Sequence, residues 1–234
     1  MERRIIDNKE FLLFKEGNIE IGFSTALNQV NYKKELEEGK KNLESLKEIF
    51  KVSKIIYVNQ THSNNFVDAT FKEFKGDIDC DSIITKEKNT LIGVFTADCV
   101  PVIAYDGEKG VISAIHSGWK GTYYEIVKRT VEYMKKEYNC EDIKILIGSH
   151  IRECCYEVSY DLANKFKEKF GEEVVKNRNL SLEKCVKIQL KNLVKEENIK
   201  SLCLCTYCEK DIKMHSYRDK KEEAGRLFSF AYIR

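Results

Sequence analysis

Proline is almost missing from this chain: Pro101 is the only one among 234 residues. No Gly/Ser-rich segment takes its place, so nothing in the composition marks a linker, and the sequence reads as one domain over residues 1–234. That length is enough to bury a sizeable core. An excess of charge is also lacking, since 40 Lys and Arg stand against 38 Asp and Glu. A net +2 offers no basic face for nucleic acid or an anionic membrane. No apolar run approaches the ~20 residues that span a bilayer, and the opening Met-Glu-Arg-Arg-Ile-Ile-Asp has no apolar signal core. The expectation is a cytoplasmic protein acting on small molecules, with no nucleic-acid or membrane partner. Oligomeric state leaves no trace in the composition.

Histidine is scarce, with four residues, but cysteine is not, with nine. Without an export signal the cysteines are expected to be reduced, so they read as core residues, ligands or nucleophiles before they read as disulfides.

Short apolar runs at 11–14 and 19–23, separated by Glu-Gly-Asn, predict a hairpin. Over residues 33–50 the apolar positions recur at helical spacing, with Lys and Glu between them. Strands are expected at 55–58, 66–69, 82–85, 91–97, 100–105, 111–115 and 143–147. A strand-like run covers 201–205, and a final strand is expected over 227–233. Thr122 with Glu125 three residues on forms a capping-box pattern before an apolar-faced helix, and Ser159 reads as the N-cap of a helix to residue 170. A further helix is expected over 182–194. Strands and helices mixed without strict alternation indicate an α+β (mixed α/β) domain rather than a doubly wound nucleotide fold. No glycine-rich phosphate loop of standard spacing is present.

Cys99 and His116 each sit where an apolar run gives way to a polar turn, and His62 lies just past another such run. A thiolate and two imidazoles are an established zinc donor set that leaves one coordination position open. An open position can hold a water and lower its pKa toward neutrality. Cys203, Cys205 and Cys208 form a Cys-x-Cys-x-x-Cys cluster to which Cys154 and Cys155 can add. A second zinc or a redox pair is the functional reading; the simpler one places Cys203 and Cys205 on one face of a core strand. Trp119, the only tryptophan, reads first as a packing anchor for its loop and second as a base stacker.

The combination Asn59-Gln-Thr-His62, Thr96-Ala-Asp-Cys99-Val-Pro-Val, His116-Ser-Gly-Trp-Lys-Gly121, Cys155-Tyr-Glu-Val158, Cys205-Thr206 and Ser216-Tyr-Arg218 resembles the YfiH/YlmD family. Its members have been labelled laccase-domain or multicopper polyphenol oxidase proteins, and more recently purine nucleoside phosphorylases and peptidoglycan-editing factors. The resemblance implies a single-domain four-layer α/β/β/α sandwich of the CNF/YfiH-like kind, with zinc on the residues matching His62, Cys99 and His116. It also implies phosphorolysis of adenosine, inosine and methylthioadenosine, together with deamination of adenosine. The chain departs from the family at motif edges, with Ala26-Leu-Asn-Gln after Phe23-Ser-Thr, Ser149 after Gly148, and Met214-His215 before Ser-Tyr-Arg.

On that basis Cys99, Asp98 and His116 are the expected catalytic residues, Asp98 as a proton shuttle or as a residue that orients a ligand or caps the turn. Ser24, Lys120, Thr122 and Arg218 are the expected substrate contacts, being suited to an anion. A multicopper centre is ligated mainly by imidazoles, so four histidines cannot build one within a subunit, although copper can occupy a single Cys/His2 site. Three alternatives remain beside the nucleoside enzyme: a metal- or Cys-dependent amidase acting on a muropeptide precursor, a copper-binding polyphenol oxidoreductase, and a non-enzymatic interaction module stabilised by its metal.

Overall fold

The structure is a computed structural model that describes residues 1–70 and 77–234. Its strands are β1 (Glu2–Ile6), β2 (Lys9–Glu16), β3 (Ile19–Ser24), β4 (Lys54–Ile56), β5 (Phe66–Asp68), β6 (Ser82–Thr85), β7 (Thr90–Thr96), β8 (Val100–Asp106), β9 (Val111–Ser117), β10 (Lys144–Ile147), β11 (Val175–Lys176), β12 (Asn179–Leu180), β13 (Ile199–Ser201) and β14 (Leu227–Ile233). Its helices are α1 (Glu37–Phe50), α2 (Trp119–Tyr123), α3 (Ile126–Tyr138), α4 (Tyr160–Phe170), α5 (Leu182–Leu190) and α6 (Tyr217–Lys220). Two six-stranded sheets carry the fold, ordered β1-β2-β3-β14-β7-β4 and β13-β10-β8-β9-β6-β5. Pairing is mostly antiparallel, but β4 with β7, β5 with β6 and β10 with β13 are parallel.

The central strands are apolar on both faces because both faces are covered. Along β14, Phe228, Phe230 and Tyr232 pack with Leu43, Leu46 and Phe50 of α1, while Ala231 and Ile233 turn to the space between the sheets. In β9, Ile112 and Ala114 share that inner core with Ile92 and Val94 of β7, while Val111 and Ile115 meet Val127, Val131 and Met134 of α3. Phe166 of α4 and Val186 of α5 join this outer cluster. The layers therefore run α1, first sheet, second sheet, then α3–α5: the α/β/β/α sandwich of a mixed α+β fold. Among the described residues no helix is long and apolar enough to cross a membrane.

Several boundaries shift for local reasons. The helix expected from residue 33 starts at Glu37, because the Asn31 carboxamide accepts the Lys33 N–H and holds a turn there. The expected capping box is not formed. Thr122 lies inside α2, its hydroxyl paired with Ser117 Oγ at 2.8 Å, and Glu125 is left-handed at φ 61°, which separates α2 from α3. Ser159 does cap α4, accepting the Leu162 N–H. The strand-like run at 201–205 breaks after β13, where Cys203 is left-handed at φ 56°, so Cys203 and Cys205 do not share a strand face. β1 gives no apolar pattern because it is an exposed edge strand.

Candidate metal centre

Two chain crossings between the sheets build the site. β7 belongs to the first sheet and β8 to the second, so Ala97-Asp98-Cys99 bridges them, with Asp98 left-handed at φ 87° to turn the chain. The segment from β4 to β5 crosses in the same sense and carries His62, itself at φ 56°. Gln60 anchors this second crossing by exchanging two hydrogen bonds with the backbone of Phe95, at 2.7 and 2.8 Å, as a neighbouring strand would. His116 comes from the end of β9, paired with Pro101 of β8.

The three side chains converge. Cys99 Sγ and His62 Nε2 are 3.8 Å apart, the two imidazole rings meet edge to face with centroids 4.8 Å apart, and one donor atom from each residue lies within 4.8 Å of the others. Small side-chain adjustments would bring all three to the ~2.0–2.3 Å bond lengths of zinc with nitrogen and thiolate. Among the described residues no fourth donor joins this group, so the set leaves a coordination position open.

Asp81, which no spacing in the sequence singled out, organises the centre. Its carboxylate accepts His116 Nδ1–H at 2.7 Å and the His62 N–H at 3.0 Å through one oxygen, and the Ser63 N–H and hydroxyl at 2.6 and 2.7 Å through the other. The bond to Nδ1 leaves the other ring nitrogen of His116 as the donor to the metal, the usual carboxylate–histidine–metal arrangement. Burial alone would raise the Asp81 carboxyl, but the hydrogen bonds and charge of His116 and the bonds from Ser63 outweigh it and hold it below the usual carboxylate range. Burial likewise acts to raise the Cys99 thiol, yet the charge and hydrogen bond of His116, with those of His62, bring it down. His116 is raised in turn by Cys99 and Asp81 against the opposing effect of burial. Even without a metal, the geometry favours a thiolate beside an imidazolium.

Gly118 permits this convergence. A Cβ there would sit 2.8 Å from His62 Cδ2 and 3.1 Å from Cys99 Sγ. Gly118→Ala is therefore expected to push two donors apart and weaken retention of a metal bound there by about 10-fold or more, the lower end of what outer-sphere changes cost. A competitive chelator titration reads this directly, and affinity equal to the parent would show that the donors do not need the close approach.

His62, Cys99 and His116 line a cavity of about 890 Å³. Phe95, Trp119, Tyr156 and Tyr217 give it aromatic walls, and Arg218 and Arg226 line it as cations. Trp119 is more than a third exposed and faces this space, so it is not the buried packing anchor that its loop suggested. Arg218 lies with its guanidinium 5.5 Å from the Tyr156 ring centroid and donates from Nη2 to the Glu157 carbonyl at 2.9 Å.

The other expected contacts stand differently. Asp98 already accepts the Thr206 hydroxyl and the Arg218 N–H, each at 2.6 Å and each on its own oxygen, which is the geometry of an orienting residue. Ser24 is buried in β3 and accepts the Phe228 N–H at 2.8 Å; it does not line the cavity. Thr122 is buried against Ser117 and also lies off the lining. Lys120 is exposed, its ammonium 5.6 Å from the Trp119 ring centroid, beside the cavity rather than in its wall. His150 and His215 donate to the carbonyls of Gly148 and Val30, both at 2.9 Å, away from the centre. Cys154, Cys155, Cys205 and Cys208 form a second convergent group.

Residues 15–234 match the family described as multi-copper polyphenol oxidoreductase laccase. A protein of Clostridium acetobutylicum named purine nucleoside phosphorylase is 43% identical over 236 aligned positions that cover 98% of each chain. One of the same name from Aquifex aeolicus is 32% identical, over 86% of this chain and 99% of its own. Among solved structures, the hypothetical protein YfiH of Bacillus licheniformis superposes with a TM-score of 0.88 at 22% identity over 99% of both chains. YlmD from Geobacillus stearothermophilus gives 0.83 at 20% identity over 93% of both. At those identities the two structures speak for the fold, and the sequence matches speak for descent: the chain belongs to the multi-copper polyphenol oxidoreductase laccase family, the family of YfiH and YlmD.

Proposed function

We propose that this chain is a zinc-dependent purine nucleoside phosphorylase, acting on adenosine, inosine and methylthioadenosine, that also deaminates adenosine to inosine. The observation that carries the reading is a Cys/His2 donor set with an open position, lining a cavity together with aromatic faces and guanidinium groups. The names of the relatives from Clostridium acetobutylicum and Aquifex aeolicus support it. Zinc on His62, Cys99 and His116 would supply Lewis acidity at that position. His116 keeps its tautomer through Asp81, and Asp98 holds the Arg218 backbone at the cavity wall. Arg218 and Arg226 are the cations suited to hold phosphate beside C1′ of the ribose. The planes of Trp119, Phe95 or Tyr156 suit a purine. Phosphate oxygen then bonds to C1′ as the bond from C1′ to the base nitrogen breaks, and the base leaves with that electron pair and takes up a proton.

Only two of the four imidazoles reach the centre, so the donor set speaks against multicopper oxidase chemistry. A second reading has its own support. Cys99 converges with His116, and His116 is bonded to Asp81, a thiol, imidazole and carboxylate combination that can activate a cysteine nucleophile and suits an amidase acting on a muropeptide precursor. Incubating zinc-loaded protein with each nucleoside, with and without phosphate, separates the two. Base and ribose 1-phosphate formed only with phosphate, and inosine formed from adenosine without it, are the expected products. A protein that leaves all three nucleosides intact would overturn the proposal, and cleavage of a muropeptide by the same preparation would establish the second reading in its place.

A further inference from the structure

Four of the nine cysteines converge at a place the nucleoside reading does not use. Cys154 and Cys155 lie in the turn after β10, and Cys205 and Cys208 in the turn after β13. Their sulfur atoms all lie within 4.8 Å of one another, and Cys154 and Cys208, 54 residues apart, are 3.6 Å apart. A tetrahedral ion with ~2.3 Å bonds to thiolate separates its sulfurs by about 3.8 Å, so this spacing is that of a tetrathiolate site. Core packing does not account for it. Cys80, Cys140 and Cys185 are buried as small apolar residues usually are, whereas Cys154 and Cys208 are exposed and still face the same point. A disulfide between Cys154 and Cys208 would use two of the four thiols and leave the convergence of Cys155 and Cys205 without a purpose.

We propose that Cys154, Cys155, Cys205 and Cys208 bind a structural zinc ion, a closed tetrathiolate site separate from the open centre of His62, Cys99 and His116. The ion clips together two segments that support the cavity. The first segment carries Ile151 and Tyr156 on either side of the cysteine pair, and both residues line the cavity. The second carries Thr206, whose hydroxyl donates to Asp98 at 2.6 Å, and Asp98 in turn holds the Arg218 N–H. The two segments already meet through backbone bonds, Thr206 N–H to the His150 carbonyl at 3.0 Å and His150 N–H to the Leu204 carbonyl at 3.2 Å. Closure by four thiolates leaves no position for substrate, so the ion acts on the fold rather than in the reaction.

Metal counting with zinc and cobalt(II) on the whole chain tests this. Reduced protein loaded with zinc and freed of excess metal is expected to hold two ions per chain. Cys99→Ala is expected to lose one of them, and the Cys154→Ser/Cys208→Ser double variant the other. Cobalt(II) added to reduced, metal-free Cys99→Ala protein should give the intense charge-transfer absorption of four thiolates, so the test stands even if the double variant does not fold. No tetrathiolate absorption from Cys99→Ala, with Cys154, Cys155, Cys205 and Cys208 all free to react with a thiol reagent in the presence of zinc, would overturn the site. So would a parent protein whose mass shows a Cys154–Cys208 disulfide and which takes up no second ion after reduction.

Discussion

Cys99→Ala is expected, on the proposed reading, to lose the metal of the open centre and, with it, more than about 100-fold in kcat/KM for inosine phosphorolysis, since removing a direct ligand should exceed the ~10–100-fold typical of an outer-sphere partner. Cys99 is the only thiol among the three donors, the other two being imidazoles. Two neutral nitrogens are then too few to retain an ion whose charge no thiolate offsets. The fold should survive, because Cys99 is partly exposed and lies outside the three apolar clusters. Zinc content and steady-state rates measured on one preparation decide the matter: a variant that loses its ion yet turns over at the parental rate would remove metal from the mechanism.

Asp81→Asn is the second large effect. The carboxylate serves two sets of donors, His116 and His62 on one oxygen and Ser63 with Thr61 on the other. Asparagine has one acceptor oxygen, so one set must face an NH2 group. If His116 faces the NH2, its Nδ1 must become an acceptor and the ring proton moves to the nitrogen that should bind zinc. If Ser63 faces it, the loop that carries His62 loses its anchor. Either outcome is expected to lower zinc affinity by about 10–100-fold. A chelator competition gives the affinity, and circular dichroism recorded alongside separates a local loss from unfolding. Parental affinity in a folded variant would show that Asp81 does not set the donor geometry.

Asp81 also shows where the sequence stops informing. The donors His62, Cys99 and His116 could be picked out because each lies at or just beyond the end of an apolar run, which is a local pattern. Asp81 precedes β6 in a stretch with several aspartates, and nothing local separates it from Asp77 or Asp79. Its role arises only because β6 pairs with β9, which brings His116 beside it, and because the chain from β4 to β5 passes over the same spot. Ser24 is the reverse case. It follows the apolar run at 19–23 and was expected to contact substrate, but β14, far along the chain, pairs with β3, and its Phe228 N–H donates to the Ser24 hydroxyl.

By itself the sequence determined the near-neutral charge, most of the strands and long helices, the mixed α+β class and the three residues offered as ligands. These follow from periodicity and residue chemistry, which depend on near neighbours along the chain. Only the tertiary structure decided which sheet each strand joins, that Asp81 holds the centre, that Trp119 opens onto a cavity, and that two cysteine pairs meet. Those outcomes rest on contacts between segments far apart in the chain. Sheet order and the crossings between sheets set such contacts, and no local pattern encodes them.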